Sequence, residues 1–216
     1  MNKRLLFDLD GTLTDSSEGI INSVLYALRK HHIVEDNHES LRAFIGPPLI
    51  DSFMQKYNVS QNKAEQMTTS YREYFSEKGI YENKLYDGIS DMLRDLKANS
   101  FRCFLATSKP KVYAEKILKH FNIFTFFTAV YGPQMDGKHN SKTELLAWLL
   151  EKEKLHPSQC IMIGDRKYDM QAARDNGIFA TGVSYGFGSH EELMTSGAGH
   201  IVDSVRELKS FLRGQE

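Results

Sequence analysis

The sequence predicts an α/β fold in which helices cover both faces of a mostly parallel β-sheet. From Tyr86 onward, short apolar segments without polar–apolar alternation take turns with amphipathic segments, which is typical of buried parallel strands joined by helices. Between Ser16 and about Leu85, the apolar residues recur only at helical spacing. A small helical domain is therefore inserted after the first strand. We expect the core at residues 1–15 and 86–216, and the helical domain at residues 16–85.

The individual elements follow from the same patterns in chain order. An apolar strand at 5–7 ends in a polar run, and the insert carries helices near 20–28, 49–57 and 60–78. Gly46 lies in the break before the second of these helices. The core continues with a helix at 89–98, a strand at 101–106, a helix from Pro110 to about 120, a strand at 126–131, a helix at 141–153, a strand at 160–163, a helix at 168–176, a strand at 179–183, a short edge strand at 201–202 and a helix at 205–212.

Composition excludes several classes of protein. Lys and Arg number 27 against 28 Asp and Glu, so the basic excess of a non-specific nucleic-acid binder is absent from the sequence. No apolar run approaches the ~20 residues of a membrane span, and Asp8 interrupts the apolar N-terminal run that a signal peptide needs. The two cysteines, Cys103 and Cys160, lie inside apolar runs and do not form a disulfide scaffold. We expect a cytoplasmic protein with no membrane or nucleic-acid partner.

Polar side chains follow three of the predicted strands. Asp8 and Asp10 follow the first strand, Thr107 and Ser108 the second in the core, and Asp165 a later one. Ligands of open parallel sheets bind at the carboxyl ends of the strands, so these groups should meet at one edge. Clustered carboxylates resist ionisation unless a cation lies between them. An oxygen site with few protein ligands suits Mg²⁺, which also binds a substrate phosphate.

Each of these groups has a catalytic interpretation and a structural one. In an extended chain, Asp8 and Asp10 point the same way, which suits one carboxylate as nucleophile and the other as proton donor; the alternative is a strand end with a turn at Gly11. Thr107 and Ser108 lie where a strand enters a helix, a site that binds anions. Alternatively, they cap that helix, and both roles can coexist with Thr107 on phosphate and Ser108 as the cap.

Several motifs together resemble those of the haloacid dehalogenase superfamily, in the same order and over essentially the whole chain. Further strings resemble its phosphoglycolate phosphatase and bacterial 5′-nucleotidase-like branch. The superfamily motifs are Asp8-Leu9-Asp10-Gly11-Thr12-Leu13-Thr14-Asp15, Leu105-Ala106-Thr107-Ser108-Lys109 and Gly164-Asp165-x-x-x-Asp169. The branch strings are Ile45-Gly46-Pro47-Pro48-Leu49, Ser141-Lys142-Thr143-Glu144 and Tyr185-Gly186-Phe187-Gly188.

The resemblance implies a Rossmann-like core with a helical cap domain, and a Mg²⁺-dependent phosphomonoester hydrolase. Its substrate would be a small phosphorylated metabolite, phosphoglycolate-like or a nucleoside 5′-monophosphate. Asp8 would be the nucleophile and Asp10 the general acid and base. Mg²⁺ would be held by Asp8, the backbone carbonyl of Asp10, and Asp165. A phosphomutase is the first alternative and a catalytically inactive phosphate-binding module the second; the oligomeric state, monomer or homodimer, stays open.

Four further residues are candidates for the site: Asp169, Lys138, Lys142 and Gly46. Asp169 would lie behind the metal and hold metal-bound water, or alternatively pair with Arg166 and Lys167 on a solvated helix face. The family uses a lysine beside the nucleophile, and both Lys138 and Lys142 fall in the right part of the chain.

We favour Lys142 because Ser141, in a capping box with Glu144, would begin a helix there. A cation in a first helical turn is unfavourable unless an anion faces it. Gly46 either forms a bend between cap helices or contacts the leaving group of the substrate.

Overall fold

The computed structural model describes residues 3–134 and 139–215. The chain divides into two compact units. The larger unit comprises Met1–Thr14 and Leu85–Glu216, and the smaller unit comprises Asp15–Lys84.

Within the described residues, six strands form a sheet at the centre of the larger unit, and two others, β2 and β3, form a separate sheet. Numbered along the chain, the strands of both sheets are β1 (Arg4–Phe7), β2 (Thr14–Asp15), β3 (Lys84–Leu85), β4 (Arg102–Ala106), β5 (Phe127–Tyr131), β6 (Cys160–Gly164), β7 (Phe179–Val183) and β8 (His200–Val202). The sheet order is β5-β4-β1-β6-β7-β8, and every neighbouring pair is parallel. The predicted parallel sheet is confirmed. Strand β1 lies between β4 and β6, so it separates the buried free thiols of Cys103 and Cys160.

Helices follow the strands as the sequence predicts, and one further short helix, α8, was not predicted. The helices are α1 (Ser17–Lys30), α2 (Leu49–Tyr57), α3 (Gln61–Tyr74), α4 (Ile89–Ala98), α5 (Lys111–His120), α6 (Lys142–Glu153), α7 (Lys167–Asp175), α8 (His190–Thr195) and α9 (Val205–Arg213). Among the described residues, no helix is both long and apolar enough to cross a bilayer.

The strands lack polar–apolar alternation because both of their faces are covered. Leu5, Leu6 and Phe7 are all fully buried in β1. On one side of the sheet, Leu6 belongs to an apolar cluster that includes Leu145 and Leu149 of α6. A strand buried on both faces gains burial free energy from every side chain, which selects a continuous apolar run.

The smaller unit is built from amphipathic helices. The buried positions of α1 include Ile20, Val24 and Leu28, the spacing that predicted this helix. A 3₁₀-helix occupies His38–Phe44, and the helical stretch predicted to reach residue 78 changes at Phe75–Gly79 into a π-helical turn.

The expectation that residues 16–85 contain only helices was wrong, because the short strand β3 lies at the C-terminal end of this segment. Strands β2 and β3 pair in a separate two-stranded sheet. With two residues each, they are too short to show the period-two pattern by which a strand is found in sequence.

Candidate active site

Three buried carboxylates meet at the carboxyl edge of the sheet. Asp8 directly follows β1 and Asp165 directly follows β6, which is the neighbouring strand. Asp169 comes from the first turn of α7, because that helix begins right after Asp165 and Arg166. One carboxylate oxygen from each of the three aspartates lies within 4.8 Å of those of the other two.

A buried lysine faces two of these carboxylates. Lys142 is the first residue of α6, and its side chain is only 5% exposed. Its Nζ lies 2.9 Å from Asp8 Oδ1 and also forms an ion pair with Asp169 Oδ1. A lysine in this first turn opposes the helix dipole, and the two carboxylates are the anions that stabilise it there. With Asp165 included, one lysine faces three carboxylates, which leaves a formal excess of two negative charges.

The pKa shifts reflect this excess. Burial raises the pKa of Asp165 well above its ordinary value, and the charges of Asp169 and Asp8 raise it further. Burial also raises the pKa of Asp169, to about 6, although Lys142 opposes the shift. Burial lowers the pKa of Lys142, but the carboxylates of Asp169 and Asp8 outweigh it and raise the pKa overall. A cation is what these groups need in order to be ionised together.

The free oxygen of Asp165 fits a metal ligand. Asp165 Oδ2 accepts a hydrogen bond from the backbone N–H of Phe187 at 2.8 Å. Asp165 Oδ1 is buried and has no hydrogen-bond partner within the described part of the chain. Asp169 differs, because its Oδ1 pairs with Lys142 and its Oδ2 accepts from the backbone N–H of Arg166 at 3.1 Å. An oxygen donor set of this kind is what Mg²⁺ prefers.

Asp10 has a lysine partner of its own, which the sequence analysis missed. The chain bends at Leu9, so Asp8 and Asp10 do not share one extended strand. Lys109 Nζ donates to Asp10 Oδ2 at 2.6 Å, and the two side chains are 7% and 15% exposed. The only signal in the sequence was a lysine directly after the Thr107-Ser108 pair.

The hydroxyl pair does not cap the following helix, so the capping interpretation was wrong. Helix α5 begins at Lys111 with Pro110 as its N-cap residue. Thr107 is buried, and its Oγ1 accepts from the backbone N–H of Lys109 at 3.2 Å. Ser108, beside it, is half-buried. The proline displaces the cap because it fixes the backbone two residues after Ser108.

The structure also corrects two expectations near the carboxylates. Asp169 is not on a solvated helix face: it is buried, and its side-chain partner is Lys142. Ser141 is the N-cap residue of α6, but its side chain makes no capping hydrogen bond, so the predicted capping box with Glu144 is absent.

Two further candidate residues stay predictions. Gly46, with φ of 108°, lies between the 3₁₀-helix and α2 of the smaller unit. Lys138 lies outside the described residues.

Comparisons with known proteins agree with this geometry. Residues 5–183 match the family of haloacid dehalogenase-like hydrolases. A 5′-nucleotidase from Pseudomonas aeruginosa is 43% identical over 208 residues, which cover 96% of this chain and 94% of the relative. A phosphoglycolate phosphatase from Vibrio parahaemolyticus is 28% identical over 95% of this chain and 94% of its own length.

Solved structures give the same result. The crystal structure of a predicted phosphatase from Clostridium acetobutylicum superposes with a TM-score of 0.95 at 45% identity, covering 99% of this chain and 100% of the other. The resemblance seen in the motifs is thus confirmed over nearly the whole chain. The chain belongs to the haloacid dehalogenase-like hydrolases and is a phosphatase of that family.

Proposed function

We propose that this protein is a Mg²⁺-dependent phosphomonoester hydrolase that works through an aspartyl-phosphate on Asp8. The observation that carries the proposal is the buried cluster of Asp8, Asp165 and Asp169, in which Lys142 balances only part of the negative charge. A divalent cation supplies the charge that is missing. The same edge of the sheet carries the hydroxyls that a phosphate ester needs.

The metal would be held by Asp8, the backbone carbonyl of Asp10, and Asp165 through Oδ1, which has no partner among the residues that the structure describes. Asp169 would act indirectly, because both of its oxygens already have partners and one of them is Lys142. Bound Mg²⁺ would neutralise charge on the transferring oxygens, so that an anionic nucleophile can approach an anionic ester.

In the first half-reaction, a carboxylate oxygen of Asp8 attacks phosphorus and the bond from phosphorus to the ester oxygen breaks. Asp10 gives its proton to the leaving alkoxide. Lys109 occupies Asp10 Oδ2, so the buried Oδ1, unpartnered among the described residues, is the oxygen that carries this proton. Lys142 Nζ, 2.9 Å from Asp8 Oδ1, holds the Asp8 carboxylate in place.

In the second half-reaction, Asp10 takes a proton from water. The water oxygen attacks phosphorus, and the bond from phosphorus to Asp8 breaks. Inorganic phosphate leaves, and the Asp8 carboxylate and the proton on Asp10 are both restored. One carboxylate thus serves as acid and then as base, which hydrolysis through a covalent intermediate requires.

The phosphate of the substrate would contact Thr107, Ser108 and Lys142. Thr107 Oγ1 accepts from the backbone N–H of Lys109, which leaves its own hydrogen available to donate to a phosphate oxygen. Gly46, in the smaller unit, is proposed as a contact for the leaving group. We propose nucleoside 5′-monophosphates as the first substrates to test and phosphoglycolate as the second, in the order of identity to the relatives that carry those names.

The test is phosphate release from a panel of metabolites with Mg²⁺ and with a chelator. We expect release only with Mg²⁺, and none from Asp8→Asn. Asp10→Asn should accumulate an acid-labile phosphoenzyme. The matched control is Asp91→Asn, which makes the same chemical change at a surface carboxylate paired with Arg94.

Release at the wild-type rate by Asp8→Asn would exclude the covalent mechanism. A hexose 1-phosphate completes the panel: its conversion into an isomer, with no free phosphate, would identify a phosphomutase instead.

A further inference from the structure

Residues 185–188 form a loop after β7 that packs against Asp165, and the reaction steps above do not use it. The backbone N–H of Phe187 donates to Asp165 Oδ2 at 2.8 Å. The hydroxyl of Tyr185 donates to the backbone carbonyl of Thr12 at 3.0 Å. The ring of Tyr185 also packs edge-on against Tyr86, with the centroids 5.0 Å apart. The 185–188 loop is thus fixed to the segment that follows β1.

Space around Asp165 is limited by two glycines from different segments. A Cβ atom on Gly186 would overlap the side chain of Asp165 and the backbone carbonyl oxygen of Gly11. A Cβ atom on Gly11 would overlap Asp165 Oδ2 and the ring of Phe187. The carboxylate therefore lies between two backbone segments that approach it closely, and it has little freedom to rotate.

We propose that the 185–188 loop is a positioning element that restricts Asp165 to one ligand oxygen and so favours Mg²⁺ over Ca²⁺. This inference rests on the proposed function. Oδ2 already accepts a hydrogen bond from Phe187, whereas Oδ1 has no partner among the described residues, so Oδ1 is the oxygen that Asp165 presents to a cation. Mg²⁺ requires near-octahedral geometry, whereas Ca²⁺ accepts bidentate carboxylates and flexible geometry. A carboxylate that presents one oxygen in a fixed direction suits the near-octahedral geometry of Mg²⁺.

Gly186 is the position at which this can be tested cleanly. It is not among the glycines with positive φ, whereas Gly11 has φ of 80°, so a side chain at Gly11 would strain the backbone as well. Gly186→Ala adds one methyl group that displaces Asp165. The control is Gly214→Ala, because a Cβ atom on Gly214 meets only backbone oxygens at 3.4 and 3.9 Å.

The experiment is calorimetric titration of the metal-free full chain with Mg²⁺ and, separately, with Ca²⁺. Changes to groups that support metal ligands typically cost 10–100-fold in affinity, so Gly186→Ala should raise the Kd for Mg²⁺ about tenfold or more. The Kd for Ca²⁺ should rise less, because Ca²⁺ tolerates a displaced ligand. Gly214→Ala should leave both constants unchanged. An equal loss for both metals would indicate general damage and would overturn the inference.

The failures of the two proposals are distinguishable. If the wild-type chain does not bind Mg²⁺, the metal-dependent function and this inference both fall. If the wild type binds Mg²⁺ and Gly186→Ala binds it equally well, only the inference falls. If Gly186→Ala does not fold, Tyr185→Phe provides the test of the inference, because it removes only the hydrogen bond to the backbone carbonyl of Thr12. We expect a smaller rise in its Kd for Mg²⁺, and an unchanged Kd would overturn the role of the loop.

Discussion

Two lysine–aspartate contacts at the carboxyl edge of the sheet differ in their balance of charge. Lys109 contacts Asp10, one lysine beside one aspartate. Lys142 pairs with Asp8 and Asp169, and Asp165 lies beside them. The first contact matches one lysine with one aspartate. The second leaves an excess of negative charge, and buried carboxylates without a counter-charge are destabilising.

The comparison separates two tasks of a phosphoryl-transfer site. A group that moves protons needs a fixed direction, and a balanced pair provides it. A group of side chains that binds a metal ion needs an excess of negative charge, which the bound cation then neutralises. The raised pKa of Asp165, due first to burial and then to the charges of Asp169 and Asp8, shows where that imbalance lies.

Removing the Lys142 side chain, which faces the carboxylates of Asp8 and Asp169, should have the largest effect on activity. Lys142→Ala should lower kcat/KM several hundred-fold or more, if one preorganised charge is worth about 3–4 kcal/mol. The control is Lys152→Ala, on the exposed part of the same helix, which should retain activity. Phosphate-release kinetics at saturating Mg²⁺ measure the difference, and circular dichroism verifies that both variants are folded.

Lys138 is the alternative candidate for the lysine beside Asp8, and its variant provides the outcome that would contradict this prediction. If Lys138→Ala lost more activity than Lys142→Ala, the role proposed for Lys142 would have to be abandoned.

Breaking the balanced pair should have an intermediate effect. Lys109→Met should lower kcat about tenfold to a hundredfold, as expected when a proton-transfer group loses its orientation. KM should change little, because Lys109 contacts Asp10 and acts through it. Lys109→Arg should recover part of the loss. Lys111→Met is the control, since Lys111 is exposed and pairs only loosely with Glu115 at 3.8 Å. A rise in KM with kcat unchanged would show a substrate-binding role instead.

The smallest effect, on stability, tests the comparison directly. In the metal-free protein, Asp165→Asn removes one excess charge and should raise Tm, whereas Asp10→Asn removes the carboxylate that Lys109 Nζ contacts and should lower it. A change of 1 kcal/mol corresponds to about 2–4 °C for a chain of this size. Differential scanning calorimetry with a chelator present measures both variants. Shifts of the same sign would remove the distinction between the two clusters.

The increase in stability expected from Asp165→Asn should also depend on pH. The folded state binds the Asp165 proton more tightly than the unfolded state, so the wild type loses stability as pH rises from the ordinary pKa of 3.8 through the raised pKa. The variant lacks this loss, so its advantage should be small near pH 4 and should grow toward neutral pH. Added Mg²⁺ should stabilise the wild type and not Asp165→Asn.

The parallel sheet and the polar residues at its carboxyl edge could be predicted from local sequence patterns. A continuous apolar segment such as Leu5 to Phe7 is stable as a strand only when both faces of that strand are buried. The polar residues that directly follow such a segment then lie at the end of a strand. Asp8 and Asp165 were therefore identifiable without coordinates. The first-turn position of Lys142 indicated that anions face it, and the structure places Asp8 and Asp169 there.

The pairing between side chains of distant segments could not be predicted in this way. Lys109 and Asp10 are 99 residues apart, and no local pattern links them. They meet because β1 is inserted next to β4, and the strand order is a property of the whole sheet. The partner of Asp165 is a backbone N–H at Phe187, which every residue except proline carries, so no side chain could have revealed it. Local sequence reports the burial and conformation of each segment, whereas pairings between distant segments depend on how the chain packs.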